Sequence, residues 1–315
     1  MDSIVDGILK GDKRSISRAI SIIDNDERDS KLIIRKIFKK TGRARTIGFT
    51  GAGGAGKSTL IGKLAAEFQD LGYNVAVLAV DPSSSVSGGA ILGDRVRMLS
   101  SLGDKIYMRS MASRGAEGGV SKSLRNVIRI LDAAGYEMIL VESVGAGQSE
   151  VEISKIVNLT VVLFTPNTGD GIQAIKAGLS EIGDIYVVNK CDLEGASFLY
   201  SILLDLIADK KVLKCTAKTG RGVSELAETL SQLLGEHKYI QKERMMIETE
   251  MLDMILNIVK EESIQMLRNN KLYSTYIDKV LKKEIDPYSV ALKLCRSILR
   301  RDIVKESENG QRDKN

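Results

Sequence analysis

The sequence has no tryptophan, and aromatic residues make up only 4% of its 315 positions. Proteins that bind single-stranded nucleic acids stack bases on aromatic side chains, and no such stacking surface stands out here. The formal net charge is +5, but the basic residues alternate with acidic ones along most of the chain, as on a solvated surface. We therefore expect no nucleic-acid partner.

Cysteine and histidine are also scarce. The three cysteines, Cys191, Cys215 and Cys295, are scattered and form no C-x-x-C pair. This usage favours a reducing, cytoplasmic setting over a disulfide framework. The length of 315 residues allows a sizeable core and excludes a small metal-stapled fold. The only histidine, His237, lies in the polar stretch GEHKYI and is expected to be a solvated surface residue.

Long apolar runs are missing as well. No run approaches the roughly 20 residues that a membrane-spanning helix needs. Residues 1–13 carry Asp2 and Asp6 and lack the apolar region of a secretory signal. We expect a cytoplasmic chain that does not cross a membrane.

Short strand-like runs alternate with helical patterns between residues 45 and 217. Several of the runs are almost continuously apolar, among them NVAVLAVD, MILVES, LTVVLFTP and DIYVVNK. Strands with this composition are buried on both faces, which predicts an α/β fold with a mostly parallel sheet flanked by helices. In such folds ligands bind at the carboxyl ends of the strands, so we expect the functional residues in the motifs at those ends.

Two helical regions flank this core. We expect an N-terminal helical extension over residues 1–42, the α/β domain over 43–236, a C-terminal helical arm over 237–303 and a disordered tail over 304–315. Apolar residues in the arm follow the spacing of one helix face, which packs either on the chain's own core or on a second copy in a dimer. These residues are Met251, Met254, Ile255, Ile258 and Val259.

Residues 48–60, GFTGAGGAGKSTL, contain five glycines and one lysine, and four of the glycines, at positions 51, 53, 54 and 56, lie with the lysine between two apolar runs. This spacing fits the P-loop pattern, in which backbone N–H groups and a helix N-terminus surround phosphate oxygens. A strand-like run, RTIGFTG, precedes the loop, and an amphipathic run that ends at Gly72 follows it. These features predict a P-loop NTPase whose phosphate contacts are Gly51, Ala52, Gly53, Gly54, Ala55, Gly56, Lys57, Ser58 and Thr59.

The segment VVNKCD indicates which nucleotide is bound. Asp192 at a strand end can accept hydrogen bonds from the ring N–H and the exocyclic amine of guanine, whereas adenine would leave its carboxylate unpaired. The stem of Lys190 can cover the base, and Asn189 can tie this loop to the P-loop. CTAKTGRG follows one strand later, and its backbone near Ala217 and Lys218 can contact the guanine carbonyl oxygen. The predicted base contacts are therefore Asn189, Lys190, Asp192, Thr216, Ala217 and Lys218.

A P-loop of this kind implies Mg²⁺, which takes hard oxygen ligands beside the β- and γ-phosphates. Ser58 is the expected first ligand, and Glu142 ends the run MILVE, where such NTPases place an acid that holds the metal directly or through water. Asp81 ends VAVLAV and Asp94 lies in GGAILGDRVRM, and each is either a metal or γ-phosphate residue or a surface acid. The predicted catalytic residues are Lys57, Asp94 and Glu142.

The run ESVGAGQSE follows the apolar strand that ends at Glu142. Gly145 lies three residues later, and its N–H could sense the γ-phosphate. No glutamine follows Gly145 directly, because Gln148 comes three positions further on. Without a glutamine that positions the attacking water, we expect slow hydrolysis by the chain alone.

Together these motifs give the chain a family resemblance. It resembles the methylmalonyl-CoA mutase-associated GTPases, the MeaB/ArgK group of the SIMIBI class, in GAGGAGKST, VLAVDPSS, GGAILGDRVRM, GGVSKS, LVESVGAGQSE, GDGIQAIKAG, VVNKCD and IDPYSVA. The resemblance implies GTP or GDP and Mg²⁺ as cofactors and a homodimer held by C-terminal helices. It also implies a chaperone that gates cofactor loading of adenosylcobalamin-dependent methylmalonyl-CoA mutase and protects that enzyme against inactivation.

The same resemblance implies three switch regions, over residues 92–98, 143–150 and 166–178. The resemblance implies that the third region relays the nucleotide state to the mutase, and Asp170 and Lys176 stand at its polar positions.

Cobalamin itself is not expected to bind to this chain. The base-off cobalamin motif D-x-H-x-x-G requires an aspartate two positions before a histidine and a glycine three positions after it. The only histidine, His237, has Gly235 and Ile240 at those positions.

Two other functions fit the same core. GTPases that insert nickel into enzymes look rich in histidine and cysteine near the N-terminus, where this chain has neither. A kinase of arginine and ornithine transport, an older label of the family, would act on a target across a membrane, and no kinase-type base is visible. A P-loop module that no longer binds nucleotide is least favoured, because every nucleotide-contacting element is present.

Overall fold

The computed structural model of the chain describes residues 1–25, 27–82, 106–113, 119–143, 148–166, 180–207, 209–268 and 271–297. The chain divides into two compact units, of which the first is Met1–Glu243 and the second begins at Arg244. The tail expected at 304–315 and the side chain of His237 lie outside the described residues.

Within the described residues, the first unit is built on a sheet of seven parallel strands. The strands are β1 (Arg45–Gly51), β2 (Val75–Pro82), β3 (Tyr107–Ser113), β4 (Met138–Ser143), β5 (Leu159–Phe164), β6 (Ile185–Val188) and β7 (Lys211–Lys214). Their order in the sheet is β3-β2-β4-β1-β5-β6-β7, and this arrangement confirms the predicted α/β class.

Helices precede the sheet, alternate with its strands and continue beyond it. The described helices are α1 (Asp2–Leu9), α2 (Lys13–Asn25), α3 (Glu27–Ile37), α4 (Lys57–Asp70), α5 (Gly119–Ala133), α6 (Gln148–Ser154), α7 (Ser180–Ile182), α8 (Ala196–Leu206), α9 (Val223–Leu234), α10 (His237–Arg268) and α11 (Lys271–Leu281), with a further helical segment over 287–297. A short 3₁₀ turn, Phe38–Lys40, follows α3.

Apolar side chains cover both faces of the sheet, as the continuous runs in the strands require. On one face, Phe49 and Leu140 belong to a buried cluster with Leu60 of α4 and Leu226 of α9. On the other face, the N-terminal helices α1 to α3 pack together with α5, β2 and β3. The P-loop strand β1 is therefore enclosed on both sides, which gives the loop at its carboxyl end a rigid base.

The second unit exposes apolar side chains along α10. Met251 is 57% exposed, and Ile255 and Ile258 are 52% and 55% exposed. These residues belong to the face that is expected to pack either on the chain's own core or on a second copy. None of the helices in the described ranges is long and apolar enough to cross a membrane.

Candidate functional site: a P-loop beside two base-recognition loops

The P-loop joins the end of β1 to the start of α4. Gly51, Gly54 and Gly56 have φ angles of 141°, 75° and 88°, which side-chain-bearing residues rarely adopt. A Cβ atom on Gly51 would come within 2.4 Å of the Leu163 carbonyl oxygen, and one on Gly56 within 2.5 Å of the Asn189 amide nitrogen. The glycines therefore let the loop turn and let two neighbouring segments approach its backbone.

Lys57, the first residue of α4, folds its side chain back over this loop. It is only 5% exposed, and its Nζ donates to the carbonyl oxygens of Gly51 at 2.6 Å and Ala52 at 3.0 Å. These bonds hold a buried ammonium against the loop expected to surround the phosphates. A fixed positive charge at that position stabilises phosphate oxygens.

Ser58 and Glu142 meet across two adjacent strands. β1 and β4 pair in register with Phe49 opposite Glu142, so the ends of these strands lie side by side. The Ser58 hydroxyl donates to Glu142 Oε1 at 2.6 Å, and Glu142 is 1% exposed. A hydroxyl and a buried carboxylate at one point are hard oxygen donors of the kind that Mg²⁺ takes, so these residues fit the metal that the P-loop implies.

Asn189 connects the P-loop to the segment that follows β7. Its side-chain amide donates to the Ala55 carbonyl oxygen at 2.8 Å, and its Oδ1 accepts from the Ala217 backbone N–H at 3.0 Å. Asn189 is 1% exposed, so these bonds are made away from water. One buried side chain therefore joins the phosphate loop and the two loops predicted to contact the base.

The loops at residues 189–192 and 216–218, which are predicted to contact the base, are held together by backbone contacts. The Cys191 N–H donates to the Cys215 carbonyl oxygen at 3.1 Å, while Thr216 donates to Arg221 at 2.9 Å and closes a turn. Lys190 adopts a left-handed backbone with φ of 58°. Within these loops Thr216 and Ala217 are buried, whereas Asp192 and Lys218 are exposed. The Asp192 carboxylate is thus accessible to a ligand.

Other predicted residues lie partly or wholly outside the described ranges. Asp81 belongs to β2, opposite Ala112 of β3, and Gln148 begins α6, but their side chains are not described. Asp94, Gly145, Asp170 and Lys176 lie outside the described residues, as do most of the three switch regions.

Glu150 of α6 is a candidate that the sequence analysis did not single out. It is 6% exposed and lies near Thr50, Gly51 and Lys57. Burial raises the pKa of the Glu150 carboxyl above its ordinary value, although the Thr50 hydroxyl and the positive charge of Lys57 oppose the shift. The available signal was its position eight residues after Glu142 within a predicted switch region, but no pattern of residues around it predicts its burial.

Comparisons with known proteins agree with this geometry. Residues 16–271 match the family model described as methylmalonyl-CoA mutase-associated GTPase MeaB. A protein of Pyrococcus horikoshii is 42% identical over 307 residues, which cover 92% of this chain and 96% of that protein. The GTPase ArgK of Escherichia coli is 34% identical over 236 residues, which cover 70% of this chain and 71% of that protein.

A solved structure shares the fold. The crystal structure of an LAO/AO transport system kinase has a TM-score of 0.70 and 22% identity, and the match covers 95% of this chain and 97% of that one. At this level of identity the likeness supports the fold alone, which is that of a P-loop NTPase. The family model and the relatives carry the assignment further: the chain belongs to the MeaB family of methylmalonyl-CoA mutase-associated GTPases.

Proposed function

We propose that the chain binds GTP, hydrolyses it to GDP and phosphate, and uses its nucleotide state to control methylmalonyl-CoA mutase. The observation that carries the nucleotide part is the pair of bonds from Asn189 to Ala55 and Ala217. Through them, the loop that would hold the phosphates and the loops that would hold the base form one connected site. A shift of the P-loop can therefore move the loops that would hold the base, and a shift of those loops can move the P-loop.

Asp192 selects guanine in this proposal. Its exposed carboxylate accepts hydrogen bonds from the guanine ring N–H and the exocyclic amine, with Lys190 beside the base and the backbone of Ala217 and Lys218 near the carbonyl oxygen. Adenine offers no N–H at the corresponding ring position. An unpaired carboxylate at the base site then disfavours adenine nucleotides.

Ser58 and Glu142 would hold Mg²⁺, with Asp81 and Asp94 as further acids at the metal or the γ-phosphate. When bound, the metal ion neutralises charge on the β- and γ-phosphates. Lys57 supplies a second positive charge, already held in place by the Gly51 and Ala52 carbonyl oxygens. Hydrolysis by the chain alone is slow, because no glutamine directly follows Gly145 to orient the attacking water.

The client of this GTPase is adenosylcobalamin-dependent methylmalonyl-CoA mutase in the cytoplasm. The family description supports this part, since it names association with the mutase. We propose that the GTP and GDP forms bind the mutase with different affinity and so gate cofactor loading and protect the enzyme. The switch region over 166–178, with Asp170 and Lys176, relays the nucleotide state.

A homodimer is also part of the proposal. The second copy covers the apolar face of α10, where Met251, Met254, Ile255, Ile258 and Val259 are between 42% and 57% exposed. Five apolar side chains at one-face spacing form a larger accessible surface than scattered single residues do. Light scattering on the full chain, compared with a Met251→Lys and Ile255→Lys double variant, measures this state directly: the wild type should be dimeric and the variant monomeric.

The nucleotide part is tested by phosphate release from GTP and ATP with and without Mg²⁺. The proposal expects slow, Mg²⁺-dependent release from GTP and much weaker release from ATP at the same concentration. Equal rates with the two nucleotides would contradict guanine selection, and an unchanged rate after chelation of Mg²⁺ would contradict the metal site.

A further inference from the structure

A second concave site lies at the opposite end of β1 from the P-loop. A cavity of about 840 Å³ opens where β1, β2 and β4 begin, and Arg45, the first residue of β1, lines it. The same strand ends at Gly51 in the P-loop, about 20 Å away for a strand of this length. The cavity is therefore separate from the proposed nucleotide site.

Three cationic side chains line this cavity. Lys40 and Arg43 come from the segment between α3 and β1 and are exposed, and Arg45 is half-buried. Within the described residues, no carboxylate forms an ion pair with any of the three. Their charges are available to an incoming anion.

The segment that carries these cations is fixed by Asp132 at the end of α5. The buried Asp132 carboxylate accepts backbone N–H bonds from Gly42, from Arg43 at 3.2 Å and from Ala44 at 3.0 Å. The Asp132 carboxylate therefore holds the backbone of the segment around Arg43 and forms no ion pair with the cationic side chains of that segment. The other acid in the wall, Glu137, accepts from the Asn74 N–H at 3.2 Å.

The size and walls of the cavity indicate the class of ligand. Small-molecule sites occupy roughly 300–1,000 Å³, far more than a lone phosphate ion fills. Leu9, Tyr73 and Leu234 contribute apolar surface beside the cations. A molecule that joins closely spaced phosphates to an organic group would contact both the cationic and the apolar side chains. One guanidinium group can bind two phosphate oxygens, and the apolar side chains can cover the organic group.

We propose that this cavity binds a diphosphate group through Lys40, Arg43 and Arg45, independently of the P-loop. The diphosphate is the shared chemistry of two sources, free inorganic pyrophosphate and a diphosphate that carries an organic group. The apolar wall favours the second source.

The experiment is calorimetric titration of the full-length Lys57→Ala variant with inorganic pyrophosphate and, separately, with ADP. The Lys57→Ala change weakens phosphate binding at the P-loop, so residual binding reports on the cavity. Arg43→Glu in the same background should weaken binding of either probe at least about tenfold, and Lys40→Glu, also at an exposed position, should act in the same direction. Lys63→Glu, an equal charge change at an exposed position of α4 that does not line the cavity, should leave binding unchanged.

The outcomes separate the possibilities. Tighter binding of ADP than of pyrophosphate supports the organic diphosphate, and the reverse order shows that the inorganic ion is the ligand of this cationic cavity. The proposal is overturned if neither probe binds to the Lys57→Ala variant, or if Arg43→Glu and Lys63→Glu weaken binding equally. Binding of an acidic peptide at the same cations, without binding of either diphosphate, would also overturn it and mark a protein contact instead.

Discussion

The amide of Asn189 donates to the carbonyl oxygen of Ala55 at 2.8 Å and so fastens the segment after β6 to the P-loop. The two residues are 134 positions apart in the chain, yet both are almost completely buried. The P-loop and the segment predicted to contact the base are therefore joined by a buried hydrogen bond within the protein itself.

Replacement of Asn189 by alanine tests this connection. The variant removes both the bond to Ala55 and the bond to the Ala217 N–H, and it leaves buried backbone groups without a partner, which costs about 1–3 kcal/mol each. We expect GDP affinity to fall at least tenfold, or about 1.4 kcal/mol, and stability to fall as well. Calorimetry and urea denaturation measure the two effects, with Asn126→Ala on α5 as the matched control. A variant that binds GDP as tightly as the wild type would show that the connection has no role in binding.

Base selection depends on Asp192. The wild type should bind GDP at least about a thousandfold more tightly than ADP, because adenine leaves the carboxylate unpaired. Asp192→Asn should erode this preference and admit xanthine nucleotides, whose extra carbonyl accepts from the new amide. Titration of both proteins with GDP, ADP and XDP provides the measurement, and Asp205→Asn, at an exposed position of α8, is the control. Equal affinity of the wild type for ADP and GDP would refute the guanine assignment.

Hydrolysis depends on charge beside the β- and γ-phosphates. Lys57→Ala should abolish turnover, and Glu142→Ala or Asp94→Ala should lower Mg²⁺-dependent turnover by a factor on the order of 10 or more. Lys63→Ala, an exposed lysine on the same helix, should have little effect. Single-turnover assays at saturating GTP measure these rates. A wild-type rate of about 10 per second, typical of GTPases stimulated by an activating protein, would contradict the expected slow intrinsic reaction.

Glu150 should make stability depend on pH in a defined direction. Its folded-state pKa is raised above the ordinary value of 4.5 by burial, so the ionised carboxylate destabilises the fold. This cost is present above the folded-state pKa and disappears as the pH falls through that pKa towards 4.5. Glu150→Gln should therefore raise the free energy of unfolding at pH 7 and have a smaller effect near pH 4.

Urea denaturation of the nucleotide-free chain at both pH values measures this difference. Glu228→Gln, at an exposed position of α9, controls for the general effect of removing a carboxylate. If Glu150→Gln destabilises the chain at pH 7, or changes stability equally at the two pH values, the raised pKa does not govern the effect of this residue.

The sequence predicts the parts of the fold that depend on local rules. Continuous apolar runs predicted the parallel sheet, because strands that are buried on both faces need no polar side. The glycine spacing predicted the loop after β1, where the backbone at Gly51 and Gly56 leaves no room for a side chain. Asn189 was expected to tie its loop to the P-loop, and its bond to Ala55 has that geometry.

Contacts between distant segments were not predictable in the same way. Glu150 is buried because α6 packs beside β1 and β4. No pattern in ESVGAGQSE predicts how that helix packs on the strands. Asp132 holds the segment around Arg43 from a position 89 residues away, so the cationic cavity at the start of β1 appears only in the folded chain. In both cases, contacts between segments that lie far apart in the sequence determine where a charged side chain lies and what surrounds it.

The most direct test of the account measures binding of methylmalonyl-CoA mutase from the same cell to the chain loaded with GDP or with a non-hydrolysable GTP analogue. A nucleotide can bias a switch only through different affinities for its two states, and the coupling must be reciprocal. We predict that the two forms differ in mutase affinity by at least about fivefold, that the mutase changes nucleotide affinity by the same factor, and that Lys176→Ala reduces the difference while Lys282→Ala does not. Equal affinity of both forms, or no complex with the mutase, would contradict the proposed chaperone function.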